Sequence, residues 1–112
     1  MQLHERVVAI VAKEPVKSHR DYCDQLLRAV AGAAPAIAEG FARYSATDFK
    51  RFLRYALGSL AEARTHLQMG RQRGLLSIQD YEDALSLARR AAGATGKLRA
   101  SIKGPPESNE PT

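Results

Sequence analysis

Tryptophan is absent from this 112-residue chain, and four tyrosines and three phenylalanines are its only aromatic residues. Large flat side chains therefore cannot fill the interior, and alanine and leucine must do much of the packing. That bias suits close-packed helices better than a sheet, because strands favour β-branched and aromatic residues. The single cysteine, Cys23, excludes an internal disulfide framework and fits a reducing compartment. No basic-then-apolar segment opens the chain, and no apolar run approaches the ~20 residues of a membrane span. We expect a soluble, cytoplasmic protein with no membrane partner. A Ser-His-Asp order, a glycine-rich phosphate loop and paired-cysteine spacing are also missing, which argues against an enzyme.

The chain has room for one hydrophobic core. Its net charge of +5 is unevenly spread. Residues 1–42 are neutral overall, residues 43–103 carry twelve basic and five acidic side chains, and residues 104–112 carry two acids. A basic excess confined to the second half points to a polyanion.

Hydrophobic spacing predicts four helices and no strand. Leu3, Val7, Ile10 and Val11 share one face of a first helix, which should end near Glu14 because Pro15 follows. A second helix, about 18–42, carries a stripe of Tyr22, Leu26, Val30, Ala33, Ile37 and Phe41. Ser18 with Asp21 reads as its capping box. Pro35 inside this run predicts a bend or break. The third helix, about 46–73, starts at the pair Ser45 and Asp48 and buries Phe49, Phe52, Leu53, Ala56, Leu60, Ala63 and Leu67. Gly74 stops it in the left-handed conformation. The fourth, about 78–103, starts at Ser77 and Asp80 and runs through Tyr81, Leu85, Ala88, Ala92, Thr95, Leu98 and Ile102. Short joints at Tyr44–Ser45 and Gly74–Ser77 require antiparallel neighbours. The expected fold is an all-α, antiparallel up-down four-helix bundle over residues 1–103 with a kinked second helix. The proline-rich tail, 104–112, is expected to be disordered.

The candidate chemistry is sparse. Glu39 lies between Ala38 and Gly40 on the flank of the second helix, with no carboxylate or histidine nearby in sequence to make it a general acid. It reads instead as a helix-joint carboxylate, with Gly40 permitting close backbone approach. His19 and Cys23 are four residues apart and could face one another, but a zinc site needs more ligands than two, and His4 and His66 are isolated. No metal or cofactor is expected. On the third helix Lys50 and Arg54 lie within about 40° of each other at 100° per residue, close to Arg43, with Arg51 further round. Arg71, Arg73, Arg89, Arg90, Lys97 and Arg99 extend this basic set across the last two helices. All ten are candidate nucleic-acid contacts. The apolar arc of the third helix from Phe52 round to Leu57 is wider than a one-sided helix needs, and Tyr55 lies outside it, which suggests an oligomer interface.

The run from Gln25 to Leu85 resembles the 23S rRNA intervening-sequence proteins. Their pattern of Q-x-x-R-A, N-I-A-E-G, F-x-R-x-S and F-x-R-F-L-x-x-A-L-G-S-L-x-E is met by Gln25, Arg28 and Ala29, then Ile37–Phe41, Arg43 and Ser45. It continues in Phe49, Arg51–Leu53, Ala56–Leu60 and Glu62. The resemblance implies a four-helix bundle assembled as a homopentameric ring, without assigned enzymatic activity. It also implies kinship with the accessory protein of diversity-generating retroelements, whose basic pentamer works with a reverse transcriptase and RNA. Gln25, Arg28, Pro35, Glu39 and Gly40 then read as structural, with Glu39 fixing the kink at Pro35 and the turn into the third helix. Two departures stand out. Ala36 replaces the pattern's asparagine while the proline moves one place later to Pro35, and the first helix is shorter at its start. The second implies either a trimmed interface or a start codon upstream.

Three functions follow as expectations. The first is a non-enzymatic oligomeric scaffold binding RNA or DNA through basic surfaces. The second is a protein–protein adaptor for a partner such as a reverse transcriptase or another neighbouring-gene product. The third, resting only on His19, Cys23 and Glu39, is a metal-dependent or acid–base enzyme.

Overall fold

Two serines set the starts of the two longest helices. Ser45 Oγ accepts the Asp48 N–H at 3.3 Å and Ser77 Oγ accepts the Asp80 N–H at 3.1 Å, each tying off an orphan donor of the first turn. The structure, a computed structural model, describes residues 2–43 and 45–103. Tyr44 and the tail 104–112 lie outside the described residues. The elements are α1 (Gln2–Val11), a short 3₁₀ turn (Val16–Ser18), α2 (Arg20–Ala31), α3 (Ala33–Ala42), α4 (Ala46–Gln72) and α5 (Ile78–Ser101). The described residues contain no strand, and α2 with α3 forms one broken rod, so the protein is an all-α four-helix bundle. No described helix is long and apolar enough to cross a membrane.

Helix α1 stops at Val11, earlier than Glu14, because Pro15 has no N–H to give the Val11 carbonyl. Ser18 does not cap α2. It belongs to the 3₁₀ turn and its hydroxyl donates to Glu14 Oε2 at 2.5 Å, while His19 occupies the cap position without a side-chain bond. The break in the second rod falls at Gly32, three residues before Pro35. Pro35 cannot donate to the Ala31 carbonyl, so the ladder fails there, and the proline is tolerated in the first turn of α3. After the break the inner face of α3 is Ala33 and Gly40, and Phe41 is turned outward.

One end of the bundle is closed. At the C-terminus of α4, Gly74 adopts φ 73°, its N–H reaching Arg71 O at 3.1 Å while Leu75 N–H reaches Gly70 O at 2.9 Å, a Schellman closure. Leu75 and Leu76 are buried behind it. The Tyr22 hydroxyl donates to His66 O at 2.6 Å across the α2–α4 contact. Burial pushes the Tyr22 phenol up to about 12. Leu26, Val30, Leu60, Ala63, Leu67 and Ala84 complete the core, with Leu3, Val7 and Ile10 of α1 packed against it. Helix α1 runs antiparallel to α5, with Arg6 paired to Asp83 at 3.5 Å and Lys13 to Asp80 at 3.2 Å.

Candidate nucleic-acid interface

The other end is open: among the described residues, Phe41 and Leu98 stand exposed there beside α3, the start of α4 and the last turns of α5. Among the described residues α1 packs mainly on α2 and α5, with His4 reaching a hollow beside Ala34 and Pro35 at the start of α3, and no close backbone approach joins α3 to α5. Gln2 and Leu3 lie beside Leu87, Arg90 and Ala91, which is as far along α5 as α1 reaches. The remainder of α5, about ten residues or ~15 Å of helix, has no fourth rod alongside among the described residues.

Three helix ends meet here. Gly40 brings α3 onto α4: a Cβ at that position would lie 2.6 Å from Phe52 Cβ and 3.1 Å from Phe49 Cδ1. Arg99 Nε donates to Lys50 O at 3.3 Å and ties the end of α5 to the start of α4. Of the ten basic residues singled out above, the fold gathers six at this end: Arg43, Lys50, Arg51, Arg54, Lys97 and Arg99. Exposed Lys103 joins them, unanticipated because it sits at the very end of the fourth helical pattern. Arg71 and Arg73 lie at the closed end, with Arg73 about 34 Å along α4 from Lys50. There Arg71 Nη1 donates to Leu76 O at 3.3 Å, and the Arg73 guanidinium lies 5.8 Å from the Tyr22 ring centre. Arg89 and Arg90 are exposed midway along α5.

Among the described residues the acids of the open end, Glu39 and Asp48, are already engaged. Arg43 bonds Glu39 at 3.1 Å and Arg51 bonds Asp48 at 2.9 Å. The guanidiniums of Arg43 and Arg51 lie 5.3 and 5.8 Å from the Phe52 ring centre, within cation–π range. Seven basic and two acidic side chains among the described residues therefore give this end a net +5. Glu39 is exposed and pairs one turn along its own helix. Among the described residues it has no bond to Pro35 or to α4, so the geometry gives it no hold on the kink. Gln25 and Arg28 are exposed on α2, with Gln25 beside Tyr22, Met69 and Arg73 in a surface hollow of the closed end.

His19 and Cys23 do not face a common point. His19 is exposed, with Nδ1 3.1 Å from Pro15 O, and the buried Cys23 thiol donates to Val16 O at 3.2 Å. Burial pushes the Cys23 thiol above its ordinary value, which keeps it protonated and unreactive. No group of three His, Cys, Asp or Glu side chains converges among the described residues.

The open end is also apolar. Ala34, Ile37, Ala38, Phe41, Phe49 and Leu98 line a groove of about 580 Å³. Phe41 is 70% exposed and Leu98 40%. Sequence spacing put both on inward stripes. Spacing marks a face as apolar but does not show which element lies against it.

These features define a helical bundle protein with one sealed end and one cationic, apolar end. Its sequence matches the family model of the 23S rRNA-intervening sequence protein over residues 1–95, and the chain belongs to that family. No curated protein matches it.

Proposed function

We propose that the protein is a non-enzymatic, homo-oligomeric scaffold that binds nucleic acid, structured RNA or a nucleoprotein, through its open end. The observation that carries this reading is the charge pattern there. Among the described residues both acids there are paired with arginines, and the other cations lie on α4, on α5 and just beyond α5. Family membership, under a name referring to 23S rRNA, agrees with a nucleic-acid role. Assembly, as the pentamer that the resemblance implies, is supported by Tyr55, which is 51% exposed and packs edge-on against Phe52 at 5.8 Å on the outer side of α4. The adaptor reading is favoured by a separate observation, the apolar groove beside Phe41.

Fluorescence anisotropy of labelled single-stranded RNA, titrated with the full chain at several salt concentrations, tests the binding. Affinity should fall steeply with salt, with a log–log slope of about −0.7 per phosphate neutralised. Absence of binding at low salt would refute it. Light scattering tests assembly separately, the expectation being five times the 12.3 kDa chain mass.

A further inference from the structure

The groove at the open end has the wrong chemistry for a phosphate and the right chemistry for a nucleobase. Its six lining residues, Ala34, Ile37, Ala38, Phe41, Phe49 and Leu98, offer no hydrogen-bonding side chain. A neighbouring hollow of about 300 Å³ shares Phe41 and Phe49 and adds Gly40, Ser45, Ala46 and Ile102. The two phenylalanines pack edge to face with centroids 6.0 Å apart and so stand between the hollows. Phe41 keeps most of its surface in water.

Apolar surface of this kind is normally covered, and the surrounding charge indicates by what. Lys97 and Lys103, both exposed, are the chain neighbours of the lining residues Leu98 and Ile102, while the Arg43 guanidinium lies over the Phe52 ring and is paired with Glu39. The described part of α5 beyond Ala91 contains no acid. Two open ends meeting face to face would bring like charge against like, which costs energy, and a contact with any other face of a second copy is a separate outcome, read by the mass of the Phe41→Ala form. A polyanion carrying flat apolar faces suits both halves of the surface, and an unpaired stretch of nucleic acid is such a ligand. Its phosphates neutralise the cations while its bases leave water against an aromatic wall. A duplex keeps its base faces stacked inside and can use the cations only.

We infer that the groove between α3 and α5 is a seat for unpaired nucleobases, stacked against Phe41 beside a phosphate-binding rim that includes Lys97 and Lys103. This rests on the nucleic-acid reading above and deepens it. The open end takes single strands, loops or bulges in preference to uninterrupted helix. With no donor or acceptor side chain in the groove, it recognises the face of a base and not its hydrogen-bonding edge, so it tolerates sequence variation.

The test uses the full chain with two labelled probes of about twelve nucleotides, single-stranded oligouridine and an RNA duplex, together with Phe41→Ala and Phe41→Tyr. Stacking on one aromatic side chain corresponds to a loss of about ten- to a hundred-fold in single-strand affinity for Phe41→Ala. Duplex affinity should stay within about two-fold, and Phe41→Tyr should retain single-strand binding. Because Phe41 is so exposed, the substitution should leave the thermal melt unchanged. Equal effects on both probes, or on neither, would overturn the inference while leaving the nucleic-acid reading standing. If neither probe binds the unmodified chain, both fall. A drop in mass on Phe41→Ala, without a selective loss of the single strand, would assign the groove to a second copy and also overturn it.

Discussion

The two ends of this bundle are built from the same kinds of residue and come out differently. At the closed end four rods are present: Leu3, Val7 and Ile10 cover Leu26 and Val30, the Tyr22 hydroxyl bridges to α4, and a glycine closure seals the turn. At the open end three rods are present, and Ile37, Phe41, Phe49 and Leu98 remain partly or largely in water. Charge follows the same division. Lys13 and Arg6 at the closed half are matched by Asp80 and Asp83, whereas among the described residues the open end holds seven basic side chains against two acids. Among the described residues, apolar stripes therefore become core where four rods meet and surface where three do.

The comparison is tested most forcefully in the core. Leu26→Ala, at a side chain with no exposure, should cost about 2–5 kcal/mol in chemical denaturation. Leu98→Ala should cost less than about 1 kcal/mol, since much of that side chain is already solvated. Similar losses at both would mean that the open end is covered in solution. A smaller effect is a pH dependence that belongs to the closed end alone. The Tyr22 phenol is raised from 10.0 to about 12, so the folded protein holds a proton that the unfolded chain releases. Its stabilisation is complete below pH ~10 and is lost as pH climbs through about 12, a fall on the order of 2 kcal/mol. Thermal melts across that range should show the decline, and Tyr22→Phe should flatten it after a fixed loss of the hydrogen bond to His66.

Gly40→Ala comes next. The added methyl must displace Phe52, and we expect about 1–2 kcal/mol of destabilisation, read as a lowered denaturation midpoint, despite alanine's better helix propensity. An unchanged midpoint would show that α3 moves freely on α4. Smallest of all, Glu39→Gln should shift stability by no more than about 0.5 kcal/mol, the usual worth of an exposed pair one turn apart. A larger loss would restore Glu39 to the joint that its sequence context suggested.

Much of the fold was legible because its determinants are local. The serines at 45 and 77 announce helix starts through a bond three residues long, Gly74 announces a stop, and Leu53, Leu60 and Leu67 keep their period through an unbroken helix. Ser18 failed as a cap because a second local partner, Glu14, competes for its hydroxyl. Pro35 correctly signalled an interruption, but its effect appears at the preceding turn, on the carbonyl of Ala31. The candidate site was half legible. Six cations of the ten converge, since α5 returns antiparallel to α4, while Arg71 and Arg73 belong to the opposite end. The apolar groove was invisible to spacing because whether a stripe is buried depends on how far another helix extends.

The central claim is that one end of the bundle, and not the other, meets nucleic acid. It is tested most directly by measuring single-stranded RNA affinity for two charge-neutralised forms of the full chain. One carries Lys50→Gln, Lys97→Gln and Lys103→Gln at the open end; the other carries Lys17→Gln, Arg20→Gln and Arg73→Gln at the closed end. The account predicts at least about a ten-fold loss and a salt slope shallower by about 2 for the first form, with the second within about two-fold of the unmodified protein. Equal losses in the two forms, or a greater loss from the closed-end set, would contradict it.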